Sequence, residues 1–122
     1  METPVVLFSG SSTPQLAQAI ATTLAIPLGK INIDHFNDHE IMLELLEDVA
    51  HKNAIIIQST CPPVNDHLIE LILIANMLRD AAVHKITAII PYFGYARQDQ
   101  NHATITPNST LIATILATAG IN

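Results

Sequence analysis

The sequence has no tryptophan, a single cysteine, four glycines and only five basic residues in 122 positions. Each shortage excludes something. Cys61 has no intramolecular disulfide partner, so the fold rests on its core, and a reducing, cytoplasmic compartment fits best. Lys30, Lys52, Arg79, Lys85 and Arg97 are scattered and outnumbered by eleven acidic residues, for a formal net charge of −6. A duplex-binding protein neutralises phosphates with Lys and Arg, so no nucleic-acid partner is expected. No apolar run approaches the ~18–20 residues of a membrane span. The start, Met1-Glu2-Thr3-Pro4, lacks the basic region of a signal peptide, and no membrane partner is expected.

What the chain does have is apolar residues, at 49%. That is enough for a real core in one domain, and it excludes a disordered chain. Charged residues are only 13% and mean hydropathy is +0.36, so part of the surface is expected to be buried against another chain.

Val5-Val6-Leu7-Phe8 reads as a buried strand ending at Ser9-Gly10-Ser11-Ser12. Thr13 and Pro14 read as cap and first residue of a helix with an apolar stripe of Leu16, Ala17, Ile20, Ala21 and Leu24. Ile31 and Ile33 alternate with polar residues, as in a strand, and Ile41–Leu46 reads as another. Ala54–Ile57 is apolar on both faces, the mark of a strand covered on both sides. Asn65 is expected to cap a helix to about Asp80, with Asp66 and Glu70 near its positive end. Its surplus of Leu and Ile points to a second buried face, a candidate subunit contact. Ile86–Ile90 is the next strand, residues 91–107 a long loop, and Asn108–Ala119 a last helix with Gly120 beyond it. The order predicts an α/β fold: three layers, a mainly parallel sheet flanked by helices. Gly120-Ile121-Asn122 closes a helix where such a chain would enter its next strand, so the sequence reads as the front of a longer protein.

Two clusters carry chemistry. If Phe36-Asn37-Asp38-His39-Glu40 is extended, its period of two puts Phe36, Asp38 and Glu40 on one face, an aromatic beside two carboxylates that suits a purine. Spacing alone favours the plainer reading, a turn with a solvated acidic edge. The second cluster is Pro91–Asp99, just past a strand's C-terminal end, where open α/β sheets bind ligands. Arg97 and Asp99 are the only formal charges from Gly94 to Asn122. Arg97 among aromatics suits a phosphate or carboxylate clamp, and a surface Arg97–Asp99 pair is an equal reading. The six histidines have no metal-type spacing beyond His35 and His39, and no metal site is expected.

Ser9-Gly10, Phe36-x-Asp38-x-Glu40, Ile57-Gln58-Ser59-Thr60, Pro63–Leu68 and Ile90–Asp99 occur in this order. Together they resemble the N-terminal domain of ribose-phosphate diphosphokinases, over almost the whole chain. The resemblance implies a phosphoribosyltransferase-like fold. It also implies transfer of the diphosphoryl group of ATP to ribose 5-phosphate, with Mg²⁺, in cytoplasmic homo-oligomers. By the same resemblance Phe36 packs on the adenine of a neighbouring subunit's ATP, and Asp38 and Glu40 help bind that nucleotide. Arg97 and Gln98 lie on the ATP of their own subunit, with Asp99 next in the motif. The family's catalytic Lys/Arg loop, its ribose-phosphate loop and most Mg²⁺ ligands belong to a second, C-terminal domain. No catalytic residue is therefore expected in 1–122, and this domain alone is expected to be inactive. The sequence departs from the family pattern at Gln100 and Asn101, where basic residues are usual. It departs again at His39 and His51, where glycine is usual, and at Ala50 and Asp80, where basic residues serve phosphate activation. A non-catalytic regulatory subunit and a generic nucleotide-binding α/β module are the alternative readings.

Overall fold

The computed structural model describes residues 3–96 and 108–122. Its elements are β1 (Val5–Ser9), α1 (Pro14–Leu24), β2 (Ile31–His35), β3 (Ile41–Leu45), β4 (Asn53–Ile57), α2 (Val64–Asp80), β5 (Lys85–Ile89) and α3 (Asn108–Thr118). β1, β4 and β5 form a parallel sheet in the order β1-β4-β5, so the doubly apolar β4 is its centre, as its composition predicts. β2 and β3 pair antiparallel as a separate hairpin.

The register sorts the sheet's two faces. Val6, Ala54 and Ile86 lie abreast, as do Phe8, Ile56 and Ala88. These residues, except the half-buried Ala88, are buried with Leu68, Leu71, Ile74, Ala75 and Leu78 of α2 and Ile112 and Leu116 of α3. The opposite face carries Leu7 and Ile57, and the buried Ala17 and Ala21 of α1, which packs on β1, face that side. The result is the expected three layers. The inward faces of β2 and β3 (Ile31, Ile33, Leu43 and Leu45) pack against the larger core, which fixes the base of the hairpin.

The helix ends differ from expectation in two places. Thr13 makes no side-chain cap, and its hydroxyl oxygen is buried without a partner. The turn before α1 is held instead by Ser11 and Ser12, whose side chains bond across to Glu70 of α2 and to Gln58 just past β4. α2 begins at Val64 with Pro63 at its cap position, so Asn65 lies inside the first turn rather than capping it. α3 ends as expected, with Gly120 at φ 114°. The Arg79 guanidinium ties α2 to it by donating to the Thr118 carbonyl at 2.9 Å.

Candidate functional site

Parallel strands deliver their C-terminal ends to one edge, and here that edge is polar. The buried polar side chains among the described residues are Gln58, Ser59, Thr60 and Glu70, and all four meet there. Glu70 accepts from the Ser11 amide (2.7 Å), the Ser11 hydroxyl (2.6 Å) and Gln58 Nε2 (2.6 Å). Gln58 Oε1 accepts from the Ser12 amide (3.1 Å) and hydroxyl (2.6 Å). The Ser12 hydroxyl accepts from the Ser59 amide at 2.9 Å. The Ser59 hydroxyl accepts from the Tyr92 amide at 3.1 Å, and the Thr60 amide donates to the Tyr92 carbonyl at 2.9 Å. Thr60 Oγ1 donates to the same carbonyl (3.0 Å) and accepts from the Gly94 amide (2.6 Å). The loops after β1, β4 and β5 are thus one bonded unit.

Beside this unit lies a cleft of about 650 Å³ lined by Pro62, Pro63, Val64, Asn65, Asp66, Tyr92, Tyr95 and Asn108. The Tyr95 hydroxyl donates to Asn65 Oδ1, which gives Asn65 a role other than the cap read from the sequence. His67 Nδ1 lies 2.7 Å from the Cys61 carbonyl oxygen, so that nitrogen carries the proton and the ring braces the loop before α2. Arg97, Gln98 and Asp99, and with them Gln100 and Asn101, lie outside the described residues.

Phe36, Asp38 and Glu40 are brought together at the tip of the β2–β3 hairpin, in the turn that their spacing alone favours rather than on an extended face. The segment is a tight turn. The Phe36 amide donates to the Glu40 carbonyl (2.8 Å), the His39 amide to the Phe36 carbonyl (2.9 Å), and the Glu40 amide to Asp38 Oδ1 (3.0 Å). Short Asx-type bonding at Asp38 closes the turn, which alternation alone does not foresee. Phe36 is left 53% exposed beside the two carboxylates, lining a shallow depression with them. Phe36 and Asp38 line one depression and Tyr92 another, and Glu40 of the tip lines a third together with Asp66 of the cleft.

His39 has φ 72° and His51 φ 66°, the left-handed region that glycine enters without penalty. Both are positions where the resemblance read from the sequence implies glycine, and the left-handed backbone there agrees with that. Replacing His39 with glycine is expected to stabilise the fold by about 0.5–1 kcal/mol, a rise of roughly 2–5 °C in Tm. A thermal melt checks this, and an unchanged or lower Tm would contradict it.

Sequence reasoning missed the buried centre of the polar edge. Glu70 reads as a helix-dipole partner, yet its carboxylate is 2% exposed and spent on Ser11 and Gln58. A signal was present: Glu70 is the one polar residue in the run Leu68–Ile74. Among the described residues no three His, Cys, Asp or Glu side chains converge as a metal site. No helix among them is long and apolar enough to cross a membrane.

Residues 5–120 match the family described as the N-terminal domain of ribose phosphate pyrophosphokinase. A ribose-phosphate pyrophosphokinase of Bradyrhizobium diazoefficiens is 48% identical over 95% of this chain and 37% of its own length. That of a Marinomonas species is 42% identical over 97% of this chain and 38% of its own. The crystal structure of phosphoribosylpyrophosphate synthetase from Mycobacterium smegmatis superposes with a TM-score of 0.93 at 32% identity, covering 98% of this chain and 40% of that one. The chain thus spans under half the length of these relatives.

Proposed function

The chain belongs to the family of N-terminal domains of ribose phosphate pyrophosphokinases, and from that premise we propose that it is the nucleotide-binding part of an enzyme transferring the diphosphoryl group of ATP to ribose 5-phosphate. The products are phosphoribosyl pyrophosphate and AMP. Phosphoryl transfer of this kind needs positioning and charge neutralisation rather than a nucleophilic side chain.

The observation that carries the reading is Phe36. It is a large aromatic held 53% exposed at a hairpin tip beside two carboxylates, while the base of the same hairpin is packed on the core. Stacking on a base is worth about 1–3 kcal/mol, and a carboxylate can accept from an exocyclic amine. Arg97 and Gln98, three and four residues past Gly94 in sequence, bind the ATP of their own copy, with Asp99 next in the motif. The family resemblance assigns Phe36 to the nucleotide of a neighbouring copy and Arg97 to that of its own, so on this reading one nucleotide takes its two sets of contacts from two copies of the chain. Exposed large apolar side chains on both α2 and α3, Ile69 at 48% and Leu111 at 58%, support self-association.

Mg²⁺ keeps several waters and is held by one or two carboxylates together with substrate phosphates. On this reading the ion enters with the phosphates of ATP. The reading is tested by assaying the full-length protein with ATP, Mg²⁺ and ribose 5-phosphate. AMP and phosphoribosyl pyrophosphate are expected in equal amounts. ATP binding without turnover would instead identify a non-catalytic regulatory subunit, and neither binding nor turnover would overturn the proposal.

A further inference from the structure

Glu70 sits six residues into α2, buried, and its hydrogen-bond partners among the described residues are the neutral Ser11 and Gln58. A carboxylate accepts and cannot donate, and this gives the polar edge a direction. Because Glu70 Oε2 must receive a hydrogen, Gln58 presents Nε2 to it at 2.6 Å and turns Oε1 toward Ser12. Facing an acceptor, the Ser12 hydroxyl donates at 2.6 Å and leaves a lone pair for the Ser59 amide at 2.9 Å. Ser59 then carries the Tyr92 amide, and Thr60 carries the Tyr92 carbonyl and the Gly94 amide. Remove the acceptor at 70 and only the long bond from Nε2 to the His67 carbonyl, at 3.3 Å, still tells which end of the Gln58 amide faces Ser12.

We infer that Glu70 is a positioning residue for the segment Tyr92–Gly94 that leads into Arg97, acting through Gln58, Ser12 and Ser59 without touching the nucleotide. Two observations beyond the carboxylate itself carry this. The buried polar side chains among the described residues all belong to the one chain of bonds. That chain runs from α2 through the loops after β1 and β4 to the backbone of the motif segment, where Gly94 is closely confined. A Cβ there would lie 2.6 Å from Val64 Cγ1 and 2.9 Å from the Thr60 carbonyl oxygen. The inference rests on the nucleotide reading for its consequence, though the positioning itself can be read without any ligand.

The test compares Glu70→Leu, Glu70→Gln and Ser12→Ala with Leu78→Ala, a core truncation of α2 whose residue is fully buried and outside the bond chain. Ser12→Ala cuts the chain at its middle and serves if Glu70→Leu does not fold. Amide hydrogen exchange is followed residue by residue, and Mg-ATP affinity is measured on the same samples. Glu70→Leu and Ser12→Ala are expected to speed exchange at Tyr92 and Gly94 about tenfold relative to the amides of β4. They are expected to weaken Mg-ATP binding by about tenfold. Glu70→Gln keeps an acceptor for Gln58, and its new donor can serve a rotated Ser11 hydroxyl, so it is expected to stay near wild type on both readouts. Exchange at Tyr92 and Gly94 that merely tracks global stability, as in Leu78→Ala, would overturn the inference. If the wild-type chain binds no Mg-ATP, the nucleotide reading fails, and the exchange pattern alone then decides whether Glu70 holds the segment.

Discussion

Gly10→Ala is expected to cost the fold about 2–3 kcal/mol, the strain of overpacking and a broken buried hydrogen bond less a small gain from a stiffer unfolded chain. Gly10 is buried at the end of β1 with its amide on the Ile57 carbonyl at 2.9 Å. A Cβ there would overlap Gln58 Oε1 and Cδ and lie 3.0 Å from its Cβ. Gln58 cannot swing aside cheaply. It is fully buried and held by Glu70 on one end of its amide and Ser12 on the other. The expected fall in Tm is roughly 8–15 °C. The clash also predicts its own cure: with Gln58→Ala already made, the glycine substitution should cost much less than it does alone. A denaturant melt of the two single variants and the double variant checks this. Strict additivity would show that the glycine is not required by Gln58.

The second large effect is on binding, and it distinguishes one copy from two. Phe36→Ala and Arg97→Ala are each expected to weaken Mg-ATP binding by roughly 5–150-fold, the range of one stacked base or one charge-assisted contact to phosphate. Phe36→Ala should leave the Tm nearly unchanged, because the ring is 53% exposed and the turn is closed by backbone and Asp38 bonds. If Phe36 reaches the nucleotide of a neighbouring copy, the two defects complement each other. A mixed pair carries one site with both native residues, so an equal mixture of the two variants in a two-fold dimer regains about a quarter of its tight sites. Mixing restores nothing if both residues serve the nucleotide of their own chain.

How much of this was legible beforehand follows from where the energy lies. β4 is recognisable because Ala54–Ile57 is apolar at every position, and only a central parallel strand buries both faces. The β2–β3 hairpin shows in the alternation of Ile31 and Ile33, because one of its faces packs on the core. Thr13 and Asn65 mislead because a capping residue type is a local preference, and both found other surroundings: a buried, unpartnered hydroxyl and a tyrosine hydroxyl. Glu70 misleads for the opposite reason. Its partners Ser11 and Gln58 are 59 and 12 residues away in sequence, and no local periodicity reports them. The site was legible in Phe36, Asp38 and Glu40 as residue types and the turn was the favoured reading of their spacing, but the left-handed backbone at His39 that closes it was not. Arg97, Gln98 and Asp99 rest on the sequence motif alone, since they lie outside the described residues.

The central claim is that this chain holds a nucleotide site built around Phe36 and Arg97. Its most direct test is a calorimetric titration of Mg-ATP into the chain, with the solution mass recorded on the same sample. Saturable binding in a self-associated sample, lost in Arg97→Ala with the fold intact, is the predicted result. Binding that Arg97→Ala and Phe36→Ala both leave unchanged would contradict it.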